Sequence, residues 1–440
     1  MLKITKFGGS SVASAEQFRK VKSIIAADDA RRFVVVSAAG KRFSGDNKVT
    51  DLLYLVNAHR EYNVDCTALL DDIEQRFVDI KEDLGLSWPV AQKFADFRAG
   101  LASDSPEYIV SRGEWFTAHL MAEYLGLPFV DAADAIVFHH DGSLDLERTA
   151  DRVHELVVRV GHFVMPGFYG ATTDGEIKLL DRGGGDITGS ILANALSADL
   201  YENWTDVSGF LSADPRIVDR PRTIESITFD EMRELSYMGA NVLHEEAIFP
   251  VREANIPIAI LNTNAPEEGG TIIRERVEAT PDDPVITGIA GRKDFLSVYI
   301  AKTHMSDAVG FMRQVLSIFE RYHVSIEHVP TGIDSFSVVV NGKDVKDSIY
   351  SIVADIQREV KPDTVKVIDT LALVSVVGRS MSSRPGSSGK LLGVLGNEGI
   401  NVRMITQSSQ EINIIIGVNN EDFERTVSAV YEAFVVNEGK

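Results

Sequence analysis

Cysteine is almost absent from this chain. Cys66 is the only one, so no disulfide can close within the chain, and a reducing compartment, the cytoplasm, is expected. Basic residues are outnumbered: 44 Lys and Arg stand against 65 Asp and Glu, a formal net charge of −21. That balance argues against nucleic acid and against anionic membrane surfaces as partners. It leaves a small anionic substrate open, because the local field of a site can oppose the net charge. Long apolar runs are missing, and none approaches the roughly 18 residues that span a bilayer. The N-terminus lacks the basic, apolar and small-residue order of a secretory signal, so none is expected. Low-complexity tracts are missing too. What remains, 44 % hydrophobic and 25 % charged, reads as soluble and globular. At 440 residues the chain exceeds one ordinary core, so two or three domains are expected.

The first 275 or so residues alternate strand and helix signals. MLKITKF and RFVVVSA are short and β-branched. Between them SAEQFRKVKSIIAA sets Phe18, Val21 and Ile25 at helical spacing, with Ser14 and Gln17 as a capping box. HFVMPGF, LYENWTDV and IPIAILN are further strand candidates, and GSILANALSA is helical. Such alternation implies an α/β domain whose largely parallel sheet is covered by helices on both faces. ERVEATPDDPVITG, with two prolines and several acids, then reads as a linker.

Beyond the linker lies an internal repeat. FLSVYIA at 295 matches LALVSVV at 371, VSIEHV at 324 matches INVRMI at 400, and FSVVV at 336 matches INIII at 412. All three pairs, and Gly310 with Gly386, are offset by 76 residues. A fixed period is the signature of a structural repeat. Each unit reads strand, glycine loop, helix, strand, strand.

Glycines after strand ends mark where α/β sheets bind phosphates. KFGGSS, SAAG, PGFYG and DRGGGDITGS are four such places. No GxGxxG follows the first strand. RPGSSGKLL fails as a Walker loop, because Arg384 stands at its first glycine and Leu391 replaces Ser or Thr. Protein-kinase signatures are missing. In LLDRGGGDITGS, three glycines let backbone N–H groups approach an anion, and Arg182 can fork onto a carboxylate. Asp186 sits where loop meets helix, either as an ordinary first-turn acid or as part of a site. NWTDVSGFLSADPR offers Thr205 and Asp206 at a strand end and Arg216 after Asp-Pro, either as an ordinary turn-rich loop or as nucleotide contacts. His139 and His140 read as a loop pair, since no ligand cluster accompanies them, and HEE at 244 is not HExxH. Cys66 reads as a helix packing residue.

Taken in order, KFGGSSVA, SRGE, DRGGGD, WTDV, ADPR and MGANVLH resemble the aspartate kinases of the amino-acid kinase fold, over essentially the whole chain. The repeat resembles that family's paired ACT domains, each an α+β ferredoxin-like unit. The resemblance implies a catalytic domain over 1–280, a linker and strand over 281–294 that completes the second ACT unit, a first ACT domain over 295–370 and a second over 371–440. It implies MgATP-dependent phosphorylation of the L-aspartate β-carboxylate, towards lysine, threonine and methionine. Lys6 would contact the transferred phosphoryl group, and Asp186 would orient Lys6. Aspartate would take Ser37, Thr50, Glu114, Phe168, Arg182, Gly183, Gly184 and Gly185. Arg182 would hold its α-carboxylate and Glu114 its ammonium. As plain structure, Glu114 is an acid in a first helical turn. ATP would take Lys6, Gly8, Gly9, Ser10, Thr205, Asp206, Leu211, Arg216, Asn241 and Val242.

Three positions depart from many family members: Asn241 stands for Lys, Gly185 for Ser and Leu211 for Tyr. Mg²⁺ would be held mainly by ATP, with no metal site of the chain's own. A dimer is the minimum assembly the resemblance implies, a dimer of dimers the next. Effector residues would be Met305, Asp307, Gly310 and Glu327, and Glu327 favours lysine over threonine as inhibitor. Another carboxylate kinase of the same fold, or an amino-acid sensor without catalysis, are the competing readings. The chain ends after the second repeat, so no attached dehydrogenase is expected.

Overall fold

The computed structural model describes residues 1–181, 183–240, 243, 245–278 and 284–437. Two compact units result. One comprises Met1–Phe210, Thr223–Asp230 and Asn241–Val277; the other comprises Leu211–Arg222, Glu231–Ala240 and Glu278–Lys440. Stretches 211–222 and 231–240, assigned to a 1–280 domain from the sequence, therefore group with the C-terminal residues. Hydrogen bonds explain this. The Ile289 N–H donates to the Ser212 carbonyl at 2.8 Å. Glu231, fully buried, accepts from the Thr287 hydroxyl and from the Arg379 amide at 2.9 Å.

The first unit carries β1 (Lys3–Phe7), β2 (Arg31–Val36), β3 (Val137–Phe138), β4 (Phe163–Pro166), β5 (Tyr169–Thr172), β6 (Ile177–Leu179), β7 (Leu200–Thr205), β8 (Ser226–Thr228), β9 (Ile258–Asn262) and β10 (Thr271–Arg274). Seven form the main sheet in the order β4-β2-β1-β7-β9-β10-β8, and β3-β5-β6 make a smaller one. Neighbours in the main sheet run parallel, except β9 with β10. β2 is buried on both faces at Val34, Val35 and Val36, which is why it reads as an unbroken apolar run.

Ser14 caps the helix Ala15–Ala26 by accepting from the Gln17 amide at 3.4 Å. Its buried stripe runs through Phe18, Val21 and Ile24, while Ile25 is only half-buried. Helices Val49–Glu61, Thr67–Leu84, Val90–Gly100 and Pro106–Leu125 build one core with β1 and β2, around Leu53, Phe77, Phe94 and Phe116. Cys66 sits just before the second of these and packs half-buried against that core. From β1 the sheet extends to β2 on one side and to β7 on the other. That reversal is the switch point where a parallel sheet opens a crevice at its strands' C-terminal ends.

The second unit carries β11 (Gly288–Ala301), β12 (Ser335–Asn341), β13 (Thr364–Val377), β14 (Met404–Gln407) and β15 (Asn413–Asn419) in one antiparallel sheet, β12-β11-β13-β15-β14. The two ACT repeats share this sheet because β11 and β13 are each 14 residues long and serve both. Gly288–Arg292 pairs with Leu373–Val377 in the second repeat, and Phe295–Ala301 pairs with β12 in the first. The strands kink between the repeats. Asp294 (φ 68°) and Thr370 (φ 61°) turn left-handed there, 76 residues apart. Each repeat keeps its own core, one around Val315, Phe319 and Val338, the other around Leu391, Leu395 and Ile416.

Ladder register corrects one sequence match. Val298 faces Val338, and Val374 faces Ile416, so the first members lie 76 apart and the second members 78. The last strand is therefore displaced by two residues relative to the FSVVV–INIII pairing. An insertion of two keeps every side chain on its face. Among the described residues no helix is long and apolar enough to cross a membrane.

Candidate active site

β1 ends at Phe7, and Lys6 lies in register with Val35 of β2 and Asn203 of β7. Its side chain is buried, with Lys6 only 7 % exposed, and its ammonium pairs with the Asp186 carboxylate. Asp186 belongs to the first turn of the helix Gly184–Ala195. Asn203 Nδ2 donates to the same Asp186 Oδ1 at 2.8 Å, and the Tyr201 hydroxyl donates to the Asp186 carbonyl at 3.0 Å. The helix starts at Gly183, whose φ of 80° is a left-handed conformation that glycine adopts without a Cβ clash. Its free N–H groups and dipole favour an anion at this end.

Loops from several strands converge there. A Cβ on Gly185 would stand 2.7 Å from Ser37 Oγ and 3.2 Å from Lys6 Cε. That contact is a physical reason for glycine at this position. Gly184 lies equally close to Phe168. Phe168 itself is held at φ 78°, a costly conformation of order 1–3 kcal/mol for a residue with a side chain. Two hydrogen bonds fix it: its N–H donates to Thr188 Oγ1 at 2.9 Å, and its carbonyl accepts from Leu180 at 2.8 Å.

Glu114 sits in mid-helix within Pro106–Leu125, not in a first turn. Gly113 beside it packs against Ala38 and Val49, which presses Glu114 towards the end of β2. Glu114 is 4 % exposed, and its Oε2 is buried with no hydrogen-bond partner. Burial pushes its carboxyl up to about 8, against the opposing pull of the Ala38 amide and the Arg112 and Lys6 charges. Thr50 lies in the first turn of Val49–Glu61 and is half-buried.

The loop before Thr50 is pinned by residues the sequence reading did not single out. Buried Arg76 pairs with Asp46 and donates to the Gly40 carbonyl at 3.1 Å, while Arg42 meets Asp46 at 2.9 Å. No motif marks Arg76. Asn203 and Tyr201 carried a readable signal: on a strand they share a face with each other and with Thr205.

Among the residues expected to meet the nucleotide, the Gly8 N–H donates to the Trp204 carbonyl at 2.9 Å. Gly9 approaches Gly40, and Ser10 lies half-buried in the 3-10 turn Gly9–Val12. The Thr205 hydroxyl donates to Asp206 Oδ1 at 3.2 Å. Leu211 and Arg216 belong to the second unit, where the Arg216 guanidinium, 87 % exposed, pairs with Asp214 at 2.6 Å. Arg182, Asn241 and Val242 lie outside the described residues.

In the first ACT repeat, Met305 is buried at the head of the turn Met305–Asp307, and Gly310 (φ 82°) starts the helix Phe311–Arg321. Glu327 Oε2 accepts from the Tyr237 hydroxyl at 2.7 Å. His139 and His140 lie 3.7 and 3.6 Å from Asp145 and Asp174 on the surface.

The family description "Amino acid kinase family" matches residues 1–262, and "ACT domain" matches 374–434. Aspartokinase 3 of Bacillus subtilis is 36 % identical over 98 % of this chain and 98 % of its own length. A crystal structure of Clostridium acetobutylicum aspartate kinase, described as an allosteric enzyme, is 43 % identical over 98 % of this chain and 99 % of that one, with a TM-score of 0.92. E. coli aspartokinase III is 26 % identical. It has been solved with aspartate and ADP in an R-state (TM-score 0.74, 98 % of this chain, 99 % of that one). It has also been solved with lysine and aspartate in a T-state (TM-score 0.76, 99 % of each).

Proposed function

The chain belongs to the aspartate kinase family, and from that premise we propose that it transfers the γ-phosphoryl group of ATP to the β-carboxylate of L-aspartate. A β-carboxylate oxygen bonds to the γ-phosphorus. The bond from that phosphorus to the bridging oxygen breaks, and ADP leaves with the electron pair beside 4-phospho-L-aspartate. No general base is required, because the attacking carboxylate is already ionised at neutral pH.

The observation that carries this reading is the pair of buried Lys6 with half-buried Asp186 at the sheet's switch point. A fixed ammonium there offsets charge spread over the equatorial oxygens of the transferring group. The start of the helix Gly184–Ala195 turns free N–H groups towards the same phosphates. Glu114 supports the aspartate side: a buried carboxyl with an unpartnered oxygen gains a cationic partner when the substrate ammonium arrives.

Magnesium suits these residues as an ion carried by the nucleotide. It keeps phosphate and water ligands and needs one or two protein oxygens at most. Among the described residues no three His, Cys, Asp or Glu side chains gather in a metal cage. Bound, it would neutralise phosphate charge.

The reaction would open a route towards lysine, threonine and methionine in the cytoplasm, with the ACT repeats making a homodimer and taking lysine as inhibitor. Met305, Asp307, Gly310 and Glu327 are the residues proposed to hold it. The test is ADP release measured with aspartate, with glutamate and with no acceptor, plus hydroxylamine trapping of the product. Aspartyl hydroxamate formed with aspartate alone supports the assignment. Release with another acceptor, or none at all, replaces it with the carboxylate-kinase or the sensor reading.

A further inference from the structure

Tyr201 and Asn203 are alternate residues of β7, so both side chains leave the same face of the sheet. Both end on Asp186. The Tyr201 hydroxyl takes its main-chain carbonyl at 3.0 Å, and Asn203 Nδ2 takes carboxylate Oδ1 at 2.8 Å. Fit is close on the helix side as well: a Cβ on Gly189, one turn further along, would lie 2.6 Å from the Tyr201 ring.

Asn203 is 4 % exposed on a central strand, where an amide is costly unless hydrogen-bonded. Its ladder partner across the strand pair is Lys6. Lys6 and Asn203 thus bring two donors to one oxygen of one carboxylate. An ion pair alone leaves a carboxylate free to swing about its Cβ–Cγ bond, and a flexible lysine follows it. A second donor from a rigid strand removes that freedom. A catalytic charge acts in proportion to how well it is held before the reaction.

We infer that Asn203, seconded by Tyr201, is a positioning residue for phosphoryl transfer: it fixes the Asp186 carboxylate and, through it, the Lys6 ammonium. This rests on the proposed reaction, but the contact can be tested without turnover.

Kinetics come first. Asn203→Leu should lower kcat about 10-fold while the KM for aspartate and for ATP stay within about 2-fold, the pattern of a loss felt in the transition state. In an Asp186→Asn background the same substitution should change the residual kcat by less than about 2-fold, because the residue it positions is gone. Asn203→Asp removes the donor at constant size and sets a like charge beside Asp186, so its kcat should fall at least about 10-fold. Tyr201→Phe should cost about 3-fold in kcat through the weaker main-chain contact.

If Asn203→Leu fails to fold, Asn203→Asp and Tyr201→Phe decide alone. A kcat within 2-fold of wild type, or an equal loss in both backgrounds, overturns the inference. A double-mutant cycle on Tm reads the contact independently: the Tm lost in Asn203→Leu should shrink when Asp186 is already Asn. If wild type itself shows no aspartate-dependent ADP release, the assigned reaction fails, and this cycle still tells whether Asn203 holds Asp186. Additive Tm losses overturn the contact.

Discussion

Two carboxylates are proposed to receive an amino-acid ammonium, and they are prepared in opposite ways. Glu114 in the kinase unit is buried, keeps an oxygen without a partner, and has its carboxyl pushed up to about 8. Glu327 in the first ACT repeat is half-buried at the surface and already accepts the Tyr237 hydroxyl. The first stores an unfavourable arrangement that the substrate relieves. The second holds a bond that a ligand must share or displace. A buried, under-satisfied acid gives large effects and a pH dependence. A surface acid with a neutral partner gives small effects that depend on who competes for it.

The second repeat sharpens the contrast. Glu327 N–H bonds the Val339 carbonyl at 2.9 Å, and Arg403 N–H bonds the Gly417 carbonyl at 2.8 Å. The two residues are structural counterparts, yet one is an acid and the other a base that reaches Asn419. The repeated scaffold is kept in the core and reversed in charge at the rim. Only the first repeat offers an ammonium a carboxylate at this position.

The largest effect should come from the kinase crevice. Lys6→Ala is expected to lower kcat by about 100-fold or more with little change in aspartate KM, because its contact strengthens as charge moves. Steady-state kinetics decide it. A pure KM effect would merge the roles of Lys6 and Glu114 and break the division between them.

Glu114→Gln comes next. Aspartate KM should rise about 10-fold or more, since a charge-assisted hydrogen bond is lost. Stability should move the other way. The unfolded carboxyl ionises near 4.5 and the folded one near 8, so the folded state holds the extra proton between them. Stability contributed by the neutral acid is therefore full below about 4.5 and is lost as pH rises to about 8. Gln does not titrate. The variant should match wild type in Tm near pH 5 and exceed it by a few degrees at pH 8. In wild type, aspartate KM should fall as pH approaches 8 and then level off, because the ionised acid binds the ammonium. A flat Tm difference across that range would show that Glu114 is not the buried acid described here.

The repeats supply a smaller pair of effects. Glu327→Ala should raise the lysine concentration for half inhibition about 10-fold and leave the uninhibited rate unchanged. Arg403→Ala should shift it less than 2-fold. Equal shifts would make the two repeats equivalent and erase the charge argument. No lysine inhibition in wild type would remove lysine as the ligand and bring threonine forward.

Much of this arrangement could be read from the chain, and the failures have local causes. Hydrophobic runs placed β2 and β9, because strands buried on both faces need them. The offset of 76 survives in the kinks at Asp294 and Thr370, where only backbone geometry is repeated. At the last strand of each repeat it fails, since INIII and FSVVV are interchangeable apolar runs and only hydrogen-bond register tells a two-residue shift apart. The mid-helix place of Glu114 was hidden because SRGE itself imitates a helix start, Ser111 with Glu114 three residues on, while the cap that forms is Ser105 ahead of Pro106. Lys6 and Asp186 were legible as motif residues, but their meeting with Asn203 spans three chain segments. Nor does spacing show that Leu211 and Arg216 fold with the C-terminal residues, because that grouping is made by backbone bonds such as Ile289 to Ser212.

The smallest expected effect tests the surface side of the comparison most directly. Tyr237→Phe removes one hydroxyl. Burial and the Glu327 bond push the Tyr237 phenol up to about 12, so it stays a proton donor at neutral pH. Its ring keeps the Arg292 guanidinium 5.5 Å away, a contact Phe also offers. Only the hydrogen bond to Glu327 is deleted. If that bond competes with a ligand ammonium, deleting it frees the carboxylate, and lysine should inhibit at about 3-fold lower concentration, a difference near 0.6 kcal/mol. The exposure of Tyr237, 55 %, keeps the effect this small, since water already weakens the bond. Dose–response curves for wild type and variant, taken in parallel, measure it. An unchanged curve would mean that Glu327 serves both partners at once. Weaker inhibition would mean that Tyr237 belongs to the ligand-bound arrangement itself, which would place a neutral donor beside the acid and make the ACT site more like the crevice than the present contrast allows.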